Sequence, residues 1–166
     1  MDMFGKRFAG GTVALLLASA AALHAAAPAS DTDKTFVGKV SQGGMYEVAA
    51  SKVAVQKAQA QDVKDLANTE VHDHTLVGDK LKRISAEGGI PVAATLNTEF
   101  QQRLDKLKSV PAAQFDGAYL SDMSSIHEKD QKLFAQEAID GSGAFKVFAG
   151  ETDKIVKRHI GAINAK

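Results

Sequence analysis

The 166-residue chain contains no cysteine. That excludes disulfides, thiolate-held zinc, iron–sulfur clusters and thiol catalysis. It also excludes a lipoprotein anchor, which needs a cysteine. Tryptophan is absent and proline occurs only three times. Scarce proline with abundant alanine suits long helices. No segment alternates apolar and polar residues over a strand length, so no strand is expected. Neither charge is in excess, because 20 Lys and Arg face 20 Asp and Glu. A nucleic-acid surface normally needs a basic excess, so nucleic acid is not an expected partner. The Walker glycine pattern and a nucleophile-elbow serine are missing too. What is present is ordinary for one soluble globular domain: 45% hydrophobic and 24% charged residues. Five histidines remain as candidates for chemistry.

The first residues read as an address. Lys6 and Arg7 precede an apolar, uncharged run from Thr12 to Leu23, and small residues follow through Ala29. That order is the order of a secretory signal peptide, with cleavage expected after Ala25, Ala27 or Ala29. The uncharged stretch from Phe8 to Ser30 has the length of a membrane span. Its second half is rich in alanine rather than leucine, so cleavage is preferred to an uncleaved anchor. Residues 1–29 are then signal peptide and residues 30–166 the folded domain. Loss of Asp2, Lys6 and Arg7 leaves 18 basic and 19 acidic residues, a net charge of −1. The expected location is outside the cytoplasm, in a bacterial periplasm, with no stable membrane span after cleavage. Assembly into a homo-oligomer is left open.

The remaining chain reads as five helices. Helix 1 is expected from about Asp33 to Ala58, with Asp31 to Asp33 offering N-caps. Helix 2 is expected from about Asp62 to Glu87, ended by Gly88-Gly89 and Pro91. A short helix 3 covers about Asn97 to Ser109. Helix 4 follows Pro111, from about Ala112 to Asp140, and Gly141-Ser142-Gly143 breaks it. Helix 5 runs from about Ala144 to Ala165. The short links make 1–2 and 4–5 antiparallel hairpins. Two hairpins joined by a long crossover, here containing a short extra helix, form a ferritin-like four-helix bundle.

Tracing alternate steps of three and four residues gives each long helix a buried seam. Ionisable groups interrupt all four seams. They are Glu47 in helix 1, Glu70 and His74 in helix 2, His127 and Asp130 in helix 4, and His159 in helix 5. A buried charge without a partner costs several kcal/mol, so these groups must meet one another, a proton or a metal. Their heights agree. Glu47 lies 13 residues before Ala60, and His74 lies 14 after it. His127 lies 15 before Ser142, and His159 lies 17 after it. Three imidazoles and three carboxylates at one level suit Fe, Mn, Zn or Cu. They equally suit a hydrogen-bonded network that needs no metal. Gly43-Gly44, in the middle of helix 1, is read as close helix packing, or else as access to this layer. His72 is expected at the solvated rim.

These same segments carry a family likeness. Phe36–Ala58 resembles the first helix of the bacterial domain-of-unknown-function family 4142. Val63–Leu81 is similar to its second helix, with Asp73-His74 matching an Asp-His motif. Phe115–Phe134 resembles a later helix, with His127 and Asp130 on its pattern and Ile126 departing from it. His159 matches a histidine of the last helix. The likeness spans about Asp33 to Ala165. It implies an exported, ferritin-like protein and no particular activity. Di-metal relatives of that fold use Glu-x-x-His motifs. Here Glu70 and His74 stand four apart, which argues against a standard di-iron site.

The expectation is therefore an exported helical protein with a buried His/carboxylate centre able to bind a transition metal, serving metal holding or redox and stress protection in the envelope. The alternative is a non-enzymatic envelope or stress-response protein whose polar layer is purely structural. An oxidase at a di-metal site is a weaker third reading, and no catalytic residue is assigned.

Overall fold

The computed structural model describes residues 29–166. The expected signal peptide lies outside these residues, apart from Ala29. Five helices and no strand are found among them: α1 (Asp31–Lys57), α2 (Gln61–Glu87), α3 (Thr98–Ser109), α4 (Ala112–Asp140) and α5 (Gly143–Asn164). None is long and apolar enough to cross a membrane. α1 packs mainly on α2, and α4 mainly on α5; the pairs meet where α1 touches α4 and α2 touches α5. α3 leans on α1 and α4, burying Leu104 and Leu107.

The helix starts show local and remote devices at work. α1 is capped by Ser30 and not, as the sequence suggested, by Asp31 to Asp33. Ser30 accepts from the Asp33 amide, and Asp33 reaches back to the Ser30 amide, a reciprocal capping box. α2 has no side-chain cap of its own. Asp116 of α4 instead holds the turn that leads into it, accepting from the amides of Gln59 and Ala60 at 2.9 and 2.8 Å. Gly89, at φ 69°, turns the chain out of α2 through the left-handed region.

The core falls into two apolar clusters. One holds Tyr46, Ala50, Ala54, Val63, Leu66, Phe115, Tyr119, Met123 and Ile163, around the α1–α2 turn. The other holds Phe36, Val40, Val77, Leu81, Phe134, Phe145, Phe148 and Val156, toward the α4–α5 turn. Phe36, Phe134 and Phe148 meet edge-on or tilted, with ring centroids 5.3–6.2 Å apart. Between the clusters lies the polar layer. In α1 and α2 every seam position is buried. In α4 and α5 the three-and-four spacing also puts Leu120, Asp130, Ile155 and Ala162 on the seam, but they are only half-buried, and Tyr119, Ile126, Val156 and Ile163 are buried in their place. A strict seven-residue repeat drifts about 20° per repeat on a straight helix, enough to move the seam by one residue.

The α4–α5 turn is tied to the start of α1. The Asp33 carboxylate accepts from the Ser142 amide and hydroxyl at 2.9 and 2.6 Å. Glu137 lies beside it, 2% exposed, with Oε1 lacking a hydrogen-bond partner. Burial, then the Asp33 carboxylate, push Glu137 up to about 7. Its proton is held more tightly folded than unfolded, so its contribution is complete below the ordinary carboxylate range and is lost as pH rises toward 7. Glu137→Gln should flatten stability between pH 5 and 8 and raise it at pH 8 by roughly 2 kcal/mol, read by urea unfolding across pH. Gly141 permits the same turn. A Cβ there would lie 2.5 Å from the Glu137 carbonyl oxygen and 2.7 Å from its carboxylate. Gly141→Ala is expected to destabilise by about 1–3 kcal/mol, the range for overpacking, seen as a lower melting temperature.

Candidate metal centre

The polar layer is built from facing turns of four helices. A spacing of four puts Glu70 and His74 on one face of α2. The α1–α2 hairpin brings Glu47 to the same level, and the α4–α5 hairpin brings His127 and His159 there. One ligand atom each from Glu70, His74, His127 and His159 lies within 4.8 Å of all the others, and all four residues are buried. Glu70 Oε2 is 3.0 Å from His74 Nε2, 3.2 Å from His127 Nε2 and 3.0 Å from His159 Nδ1. His127 Nε2 lies 3.4 Å from His74 Nε2 and 3.2 Å from His159 Nδ1.

The outward-facing nitrogens meet acceptors. His159 Nε2 donates to Asp73 at 2.8 Å. His127 Nδ1 donates to the Met123 carbonyl at 2.9 Å. His74 Nδ1 lies 3.2 Å from Glu47 Oε2. An imidazole that donates outward turns its second nitrogen inward as a lone pair, the arrangement found around metal ions. Glu70 supports the same reading. Both its oxygens are buried without an aligned hydrogen bond, although three imidazole nitrogens sit at contact distance.

Charge follows from this crowding. Burial would raise Glu70, but His127, His159 and His74 outweigh it and hold the carboxyl well below its usual range. Burial would also lower His127, yet Glu70 and Glu47 carry it up to about 9. His159 is raised against burial by Glu70 and Asp73. His74 is lowered, burial outweighing Glu70. Asp73 is held below its usual range, because His159 and Arg158 overcome its burial. The layer draws positive charge inward, as protons or as a metal ion.

The six sequence candidates therefore separate into shells. Glu70, His74, His127 and His159 come together. Glu47 stands one step out, against His74 and, at 3.5 Å, His127 Nδ1. Asp130 stands beyond Glu47, half-buried, and touches none of the three imidazole nitrogens that face inward. Burial, then the nearby Asp130 carboxylate, push Glu47 well above its usual range. Burial raises Asp130 itself to about 6 against the pull of His127. Asp73 was not among the candidates. Its place three residues after Glu70 and one before His74 was the available signal, but the seam passes beside it. His72 is exposed, as expected.

The comparisons bear on fold and family. The chain is similar to the crystal structure of a DUF305 fragment from Deinococcus radiodurans, with 14% identity, a TM-score of 0.74, and coverage of 84% of this chain and 97% of that one. At that identity the likeness speaks for the helical fold alone. None of the curated proteins matches. The DUF4142 family, a domain of unknown function, matches residues 18–165. The chain thus belongs, over nearly its whole length, to DUF4142.

Proposed function

We propose that this protein is an exported, ferritin-like helical protein that holds one transition-metal ion through Glu70, His74, His127 and His159, for metal holding or redox protection in the cell envelope. Export is supported by the order of charged, apolar and small residues before Ser30. The ferritin-like arrangement is supported by the α1–α2 and α4–α5 pairs and the long segment between them that carries α3. The observation that carries the metal reading is the Glu70 carboxylate, buried among three inward imidazole nitrogens without an aligned hydrogen bond. The spacing also fits. Bonds of about 2.0–2.1 Å to a tetrahedral ion set ligand atoms about 3.3–3.4 Å apart. Five of the six separations here are 3.0–3.4 Å, and the sixth, between His74 and His159, is within 4.8 Å. An N3O donor set without thiolate suits Zn, Cu or Fe better than Mg or Ca.

The second reading has its own support in His127, basic enough at about 9 to hold a proton beside Glu70 at neutral pH. The layer would then be a protonated structural network in a non-enzymatic envelope or stress protein.

Metal analysis of untagged protein separates the two. One equivalent of metal is expected in the wild type and none in His74→Ala or His127→Ala. Metal at a hundredfold excess over Kd should raise the wild-type melting temperature by roughly 10 °C. Protein that stays metal-free and thermally unresponsive to Zn, Cu, Fe and Mn returns the layer to the structural reading. The outward partners should matter less than the inner four. Asp73→Asn and Glu47→Gln are expected to keep the stoichiometry and weaken affinity about 10–100-fold, measured by chelator competition.

A further inference from the structure

Two glycines in α1 stand next to each other and do different things. A Cβ on Gly43 would meet the Asp130 carboxylate at 3.6 Å, so this position packs against α4. A Cβ on Gly44 would meet nothing within 4 Å. The same holds for Gly78, across the helix pair on α2, and for Gly38, Gly117 and Gly161; what sets Gly44 and Gly78 apart is the cleft they share. Both are half-buried, and both line one cleft of about 260 Å³ between α1 and α2. Glycine disfavours helix interiors, and close packing does not account for it at these two positions.

The cleft leads to the centre. Val40, Val48, Val77 and Leu81 line it together with Lys52, Asp79 and Lys82, and His74 is part of its wall. Among the described residues no lysine–carboxylate pair spans it from α1 to α2. Two other openings near the layer lead less directly to an inward donor. The cleft between α2 and α5 reaches His159, but Asp73 holds that ring from outside and is itself held by Arg158. The groove between α1 and α4 is lined by Lys39, Arg103, Lys129 and Lys132, and it stops at Asp130.

We infer that the α1–α2 cleft is the exchange port of the centre, through which the metal cation passes to and from the His74 side, and that Gly44 and Gly78 keep it open. This rests on the metal reading above. Swinging the His74 ring toward the cleft would lift one of the four donors, loosening the ion and opening its path to the cleft. The port sets the rate of exchange and leaves the bound state untouched.

The test is stopped-flow uptake of Co²⁺ by the mature chain, read by its visible ligand-field absorption, with release followed by chelator challenge. Gly44→Leu/Gly78→Leu should slow uptake and release by about tenfold or more, with Kd unchanged within about threefold. Thr69→Leu, which narrows the α2–α5 cleft, should leave both rates as in the wild type. Leucine favours helix over glycine, so circular dichroism and melting should report an intact fold. If the double variant does not fold, Gly44→Val alone carries the same expectation with a smaller slowing. Unchanged rates in a folded, plugged variant overturn the port, as does slowing by Thr69→Leu instead. A wild type that takes up no Co²⁺, Zn²⁺ or Cu²⁺ overturns the centre itself, and the port with it.

Discussion

The whole molecule turns on one carboxylate. Glu70 is fully buried, and its oxygens have no aligned hydrogen bond. An unbalanced charge in that setting costs several kcal/mol, a large share of a domain's net stability. Three imidazoles from three helices stand around it, and their outer nitrogens face Asp73, the Met123 carbonyl and Glu47. Balance comes from side chains and from the positive charge they draw in, not from solvent. Such a layer sets the register of the helices as well as their chemistry. Sliding one helix by a turn, about 5.4 Å, would carry its group out of the layer and into an apolar cluster.

The surrounding fold serves that constraint. The two apolar clusters close the layer from above and below, with Phe36, Phe134 and Phe148 on one side and Tyr46, Tyr119 and Phe115 on the other. Turns at both ends are held by residues distant in sequence. Asp116 holds the α1–α2 turn, and Asp33 binds the α4–α5 turn. These ties fix hairpin geometry, and hairpin geometry sets which residues share a level. The small-residue positions of α1 divide between packing, at Gly43, and open space, at Gly44.

Much of this was legible in the sequence. α4 began and ended at the expected residues, and the other helices within two residues. Buried seams of α1 and α2 were correct at every position, because their apolar and ionisable residues recur cleanly at helical spacing. Counting from the turns placed Glu47 with His74 and His127 with His159, and those pairs do meet. The seams of α4 and α5 were less accurate. A slow angular drift is invisible in a string of letters, so Asp130 was assigned inward and sits a step away. Asp73 was missed for the converse reason. It lies beside the seam of its own helix, and only the approach of α5 gives it His159 as a partner.

By itself, the sequence determined the helices, their breaks and the set of ionisable groups that had to be hidden, because periodicity and turn residues act over a few neighbouring positions. It also determined that Cys and Trp play no part. Tertiary packing decided the order of the shells: which four groups converge, which carboxylates stand behind them, and which gap between helices stays open. Those distinctions rest on differences of an ångström or two in helix rotation and approach. Such differences come from the packing of all the helices at once, and no single segment contains them.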